Sequence, residues 1–271
     1  MSSRLRRTIA GAVLTGAICL LSPAGRADDS AVYAQRWQEV RQALFGSRVV
    51  HDGAALLQLD APKRAQDAAL VPMTITSSAA PRLKGLYLII DGNPSPVAAH
   101  FTFGPAADPE EIGLRIRVND YTFVHAVAEL RDGSLYAVQK FVQAAGGCSA
   151  PAGPNEAAAL NGIGQMKLRL GGPVVPARPV QAQLLIRHPN FNGMQMNQLT
   201  RFYTPARFIN AVDVTDGEAS VFHLDTDISM STNPAITFRF IVHDKSDLRV
   251  TVHDSSSAEF THVFAIPMQG S

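Results

Sequence analysis

Apolar residues first recur at helical spacing. Val32, Trp37, Val40, Leu44 and Phe45 fall roughly on one stripe, which predicts a helix over Ala31–Phe45 that Gly46 closes. Beyond it the period shortens to two. Ile112, Leu114, Ile116 and Val118 alternate with Gly113, Arg115 and Arg117, the pattern of a strand with one buried and one wet face. Further short apolar runs cover Leu86–Ile90, Thr122–Ala128 and Leu135–Val142, punctuated by Asp91-Gly92-Asn93-Pro94 and by the hairpin-like Arg131-Asp132-Gly133-Ser134. A second set covers Ala182–Ile186, Phe208–Val214, Val221–Leu224, Ile236–Val242, Leu248–Val252 and Phe260–Ile266. Between the sets, residues 151–180 are rich in glycine and proline and read as a linker, with one short strand at Gln165–Leu170. Strands at this spacing predict an all-β fold: two antiparallel β-sandwich domains, over 28–150 and 181–271, with a short N-terminal helix.

The first 27 residues read differently. Arg4, Arg6 and Arg7 precede an apolar run, Ile9–Leu21, and Ala24-Gly25-Arg26-Ala27 offers small residues for cleavage. That is a secretory signal peptide, with general secretion favoured over twin-arginine export, and it predicts a periplasmic protein. The apolar run is short for a membrane span, and Cys19 within it lacks the surroundings of a lipoprotein site. Removing this segment takes away four arginines and no acid. The remaining 244 residues (271 less 27) carry 20 basic residues (24 less 4) against 23 acidic, a formal charge of −3. No basic cluster is left, so neither nucleic acid nor an anionic membrane is expected as partner.

Motifs for common chemistries are missing. There is no Gly-x-Ser-x-Gly, no phosphate-binding glycine loop, no His-Glu-x-x-His and no Cys-x-x-Cys, so no cofactor, metal or catalytic group is assigned. His243, His253 and His262 fall about one per strand and read as exposed strand residues rather than metal ligands. His188, before Pro189, reads as a turn residue with a satisfied imidazole. Asp91 reads as a turn residue, and Asp225 with Asp227 as a solvated edge. Met194 and Met196 near Phe191 read as ordinary packing.

Cys148 stands apart. After removal of residues 1–27 it is the one cysteine left, in Ala-Ala-Gly-Gly-Cys-Ser-Ala-Pro. A leftover thiol in an exported protein either pairs between molecules or stays in use. Glycines 146 and 147, with Ser149, Ala150 and Pro151, read as a flexible arm presenting an exposed sulfur. A disulfide-linked dimer through Cys148 is a further possibility. A nucleophilic enzyme would need a histidine or cation beside the sulfur in space, and none is near it in sequence.

The segment Trp37–Cys148 resembles SoxY, the sulfur-carrying subunit of the SoxYZ complex of thiosulfate oxidation. The matching stretches are Leu70-Val71-Pro72, Asp91-Gly92-Asn93-Pro94-Ser95-Pro96, Leu114-Arg115-Ile116-Arg117-Val118, Asp132-Gly133-Ser134-Leu135-Tyr136 and Gly146-Gly147-Cys148. Residues from about Gln183 to Gln269 resemble SoxZ, through Ile186-Arg187-His188-Pro189, Gly193, Tyr203-Thr204-Pro205-Ala206-Arg207-Phe208-Ile209 and Ser231-Thr232-Asn233-Pro234. The chain is similar in particular to the fused SoxYZ-like carriers associated with periplasmic quinoprotein (PQQ-dependent) dehydrogenases. The resemblance implies immunoglobulin-like sandwiches and a covalent carrier without its own turnover. It implies cargo on Cys148, with Gly146 and Gly147 as the arm. It also implies a second domain that shields the first domain's edge. The implied partners are Sox-type enzymes, or a PQQ-dependent dehydrogenase with its c-type cytochrome. One departure is plain: the family's Gly-Gly-Cys-Gly-Gly ends the chain, whereas here Ser149-Ala150-Pro151 follow and 123 residues (271 less 148) remain.

Overall fold

A computed structural model describes residues 25–151, 156–242 and 247–267. The signal-peptide reading, Cys19 and His243 therefore lie outside the described residues, apart from the stretch that begins helix α1 (Gly25–Phe45). Gly46, at φ +58, closes α1 through its N–H to the Gln42 carbonyl. Only part of the expected stripe packs. Trp37, Val40 and Phe45 lie against Tyr87, Ile89, Val127, Leu135 and Ala137, whereas Val32 and Leu44 face solvent. Tyr33 supplies a missing contact, meeting Phe123 and Phe141 edge-on.

Among the described residues, fifteen strands form two sheets. The N-terminal half contributes β1 (Val50–Asp52), β2 (Leu57–Asp60), β3 (Val71–Ser77), β4 (Leu83–Ile90), β5 (Val97–Phe103), β6 (Glu111–Ile116), β7 (Thr122–Leu130) and β8 (Leu135–Val142). The C-terminal half contributes β9 (Met166–Leu170), β10 (Pro179–Ile186), β11 (Ile209–Asp216), β12 (Ala219–Thr226), β13 (Ala235–Ile241), β14 (Asp247–Asp254) and β15 (Glu259–Ala265). The glycine- and proline-rich connector holds a short helix, α2 (Glu156–Leu160), and β9, which pairs with β10.

Each half is a sandwich, and the two are joined edge to edge so that both sheets run across the joint. The larger sheet has the order β1-β8-β7-β4-β5-β12-β11-β14-β15, and the smaller β2-β3-β6-β13-β10-β9. In the larger sheet β5 pairs with β12 over Phe222↔Phe103 to Thr226↔Ala99. In the smaller, β6 meets β13 at Thr237↔Gly113, flanked by the bridges Ala107↔Phe240 and Ile116↔Met230. The alternating inner positions interdigitate in one continuous core, in which Phe101 meets Phe222 edge-to-face across the joint and Phe222 meets Phe238 edge-to-face between the two sheets. The expected shielding of the first domain's edge is therefore met by strand pairing, which leaves neither β5 nor β6 with an open edge.

Candidate functional site: the Gly-Gly-Cys loop

The strand ending at Ile116 runs toward the joint, and its next residue breaks the expected alternation. Arg117 does not lie on a wet face; it is 1% exposed. The reason is the second half of the chain, which covers that side. Its guanidinium donates from Nε to the Met230 carbonyl (3.2 Å) and from Nη2 to the Asn190 carbonyl (3.1 Å) and the Thr232 hydroxyl (2.9 Å). Nη1 reaches only the Gly147 carbonyl, at 3.5 Å. The turn Asp91–Pro94 braces this position from the other side. The Asn93 amide donates to the Arg117 carbonyl and to Ser229 Oγ (both 2.8 Å) and accepts from the Asn119 N–H.

Leaving β8, the chain crosses this platform as the Gly-Gly-Cys loop. Gly146 N–H bonds the Asn119 carbonyl and Gly147 N–H the Val118 carbonyl. Gly146 holds φ +77, a conformation that L side chains rarely adopt. Gly147 is required by space: a Cβ there would stand 2.6 Å from the Val118 carbonyl oxygen and closer still to that of Ala68. The two glycines thus fit the loop into a slot.

The expectation of an exposed thiol is overturned: Cys148 is fully buried, at 0% exposure. Its carbonyl accepts from the Asn192 amide at 2.7 Å, and the Ala150 carbonyl accepts from the Gln195 amide at 3.1 Å. Both clamping residues are themselves buried and belong to the second half. Burial pushes the thiol up to about 11, the nearby Arg117 charge offsetting only part of that rise. In this tucked state the sulfur is neutral and out of reach, so it neither attacks an electrophile nor forms an intermolecular disulfide. The cation that a nucleophilic cysteine would require is present as Arg117, yet the thiol is not activated.

The other singled-out residues serve structure. His188 is fully buried: its Nδ1 accepts from the Asn190 N–H, its Nε2 lies 3.5 Å from Asp254, and burial lowers its pKa. Burial would raise the Asp254 carboxyl, but hydrogen bonds from Ser256, Arg207 and the Ala258 N–H bring it down to about 2. Asp91 is buried and paired with His125 at 2.9 Å, and Trp37 stacks on that imidazole at 3.8 Å. Asp225 and Asp227 do not converge: the first pairs with His100 and His223, the second accepts from Ser95. His253 lies near Asp213 and Glu259, and His262 rests against Phe264. Phe191 is buried and Met194 and Met196 half-buried. Among the described residues, no group of three or more His, Cys, Asp or Glu is placed to hold a metal ion. A groove of about 640 Å³ beside α1, lined by Trp37, Arg41, His51, Asp52, His125 and Gln139 among others, does not include Cys148. No described helix is long and apolar enough to cross a membrane.

Arg117, Asn192 and Gln195 are the site residues that residue-by-residue reading misses. The one local signal is an arginine set between Ile116 and Val118 at the end of an alternating strand.

Comparison with known proteins agrees with the two-part layout. Residues 41–148 match the family model described as Sulfur oxidation protein SoxY, and residues 174–265 that of Sulphur oxidation protein SoxZ. Among solved structures, the sulfur carrier protein SoxY from Chlorobium limicola f thiosulfatophilum is similar at 28% identity, over 44% of this chain and 99% of that one, with a TM-score of 0.38. A β-glycosidase from Bacteroides vulgatus aligns at 10% identity over 78% of this chain and 24% of its own, with a TM-score of 0.23. No curated protein matches. With one domain of each family in order along a single polypeptide, the chain is a SoxY–SoxZ fusion.

Proposed function

We propose that this protein is a periplasmic carrier that holds a sulfur-containing or other thiol-reactive intermediate covalently on Cys148 and presents it to oxidoreductases. The observation that carries this reading is where the SoxY match ends: on Cys148 itself, the one free cysteine among the described residues. A thiolate takes up a sulfane group by exchange, forming an S–S bond as the leaving thiolate or thiosulfate departs with its electron pair. The tucked thiol is protected between transfers. Delivery requires the loop to leave its slot, breaking the Asn192 and Gln195 clamps, and the glycines then give it a mobile backbone. The clients are Sox-type enzymes, or a PQQ-dependent dehydrogenase with its c-type cytochrome. Export is by residues 1–27. The protein does no chemistry of its own: a thiol held near 11 is a poor nucleophile until it is released.

Intact-mass measurement of protein isolated from the periplasm tests this. A reductant-removable mass increase, absent from Cys148→Ser, is expected; unmodified protein from actively oxidising cells would count against covalent carriage. The complete burial of the sulfur favours one second reading, a non-covalent accessory module for a quinoprotein dehydrogenase. That version keeps full function in Cys148→Ser and binds the dehydrogenase directly.

A further inference from the structure

Taken as whole residues, Arg117 is the least exposed lysine, arginine, aspartate or glutamate among the described residues. Two other buried charges have partners of opposite sign: Asp254 has Arg207, and Glu129 has Arg48 and Lys84. Arg117 has none, since no described carboxylate comes within 4.0 Å of it. The one acid acting on it from farther off, Asp67, is exposed. A guanidinium stays charged when buried, and a buried cation with only neutral acceptors is costly. The fold therefore keeps an unmatched positive charge at considerable expense.

The unmatched end faces the arm. Nε and Nη2 together make three hydrogen bonds of 2.9–3.2 Å, whereas the two hydrogens of Nη1 share one contact, at the 3.5 Å limit, with the carbonyl preceding Cys148. The free thiol does not supply the missing charge, because burial keeps it neutral at ordinary pH. A persulfide or a sulfonate-terminated group on Sγ is anionic at neutral pH and extends beyond the sulfur by one atom or more.

We propose that Arg117 is the counter-charge for an anionic group carried on Cys148, so that the tucked arm holds negative cargo and rejects positive cargo. This deepens the carrier reading and rests on it. Arg117 is a specificity-determining residue that acts on the cargo's charge; the covalent bond remains the work of the sulfur.

Matched adducts test the charge directly on the full chain, whatever the natural cargo. Treatment with 2-sulfonatoethyl or 2-(trimethylammonio)ethyl methanethiosulfonate puts groups of similar size and opposite charge on Cys148. The thiolate attacks the sulfenyl sulfur, one S–S bond forms, and methanesulfinate leaves with the electron pair. Each adduct is then reduced by an uncharged phosphine, natively and in urea, the denatured rates giving the intrinsic reactivity of each group. After that correction the anionic adduct is expected to reduce about tenfold more slowly than the cationic one in the wild type. Arg117→Met should bring the ratio to about one, and Arg117→Lys should retain most of it. Arg117→Gln stands in if Arg117→Met does not fold. A wild-type ratio below about threefold, or one that Arg117→Met or Arg117→Gln leaves intact, overturns the proposal. Because these adducts are installed chemically, that outcome is separate from the absence of a native cargo, which would remove the carrier reading instead.

Discussion

Replacing Gly147 with alanine should release the arm. The added Cβ would sit 2.6 Å from the Val118 carbonyl oxygen and nearer still to that of Ala68, and both obstacles are backbone. No rotamer change relieves such an overlap. The Ala68 carbonyl is also fixed by the Val118 N–H at 2.8 Å. Overpacking of this kind costs roughly 1–3 kcal/mol even where side chains can adjust, and this site lies at the upper end. A shift of about 3 kcal/mol in the tucked state raises the released population by roughly 100-fold. Release also returns the thiol from about 11 to the ordinary range near 8.5. At pH 8.5 the thiolate fraction then rises from under about 1% to about half. Alkylation by iodoacetamide, followed by mass spectrometry, reads both effects. Wild-type protein should be modified at least about 100-fold more slowly than the urea-unfolded chain, and Gly147→Ala within about tenfold of it. Far-UV circular dichroism should be unchanged, since only the loop moves. Equal alkylation rates for the two proteins, with equal stability, would refute the reasoning, as would a wild-type thiol that reacts like an unfolded one.

Four further outcomes follow from the geometry. Asn192→Ala removes the hydrogen bond to the Cys148 carbonyl, worth about 1 kcal/mol, so alkylation should quicken roughly fivefold. The raised Cys148 pKa stabilises the fold below the unfolded thiol's value and is lost as pH rises toward 11; the urea midpoint should fall above about pH 9, and Cys148→Ser should flatten that decline. For Asp254 the sign reverses: its contribution is present above about pH 4 and is lost as pH falls toward 2, so Asp254→Asn should cost about 2 kcal/mol at pH 7 and blunt acid unfolding. Asp91→Ala strips His125 of its acceptor, and a loss of about 1–3 kcal/mol is expected together with altered emission from Trp37, the chain's single tryptophan, which stacks on that imidazole.

Much of the architecture was legible because most strands wear their period openly. Leu135–Val142 coincides with β8, and Ile112, Leu114 and Ile116 point inward as expected. β5 escaped notice: Pro94 and Pro96 precede it, and Ala98, Ala99 and His100 dilute its β-forming character. That strand makes the joint, so the continuity of the sheets was hidden with it. Arg117 was misplaced on a wet face because alternation reports only which side of a strand a residue takes. It cannot report that another part of the chain covers that side. Cys148 failed for the same reason. Its neighbours in sequence are small and offer no shelter; its slot is walled by Ala68 and Val118, and the side chains that clamp it lie more than forty positions onward.

The shared sheets also decide what would happen if the chain were cut. Thirteen residues separate β8 from α2, and Cys148 lies midway, so the intact loop can carry its sulfur no more than about 20 Å from its base. A single peptide-bond cleavage after Pro151 would leave the halves assembled, because β5–β12 and β6–β13 hold them together without the connector. The severed arm would become a free tail ending three residues past the cysteine, which stays within about 20 Å of the end of β8 but can now enter a channel end first. One proteolytic nick would thus convert a two-ended tether into a one-ended reach, with no change to the body of the protein.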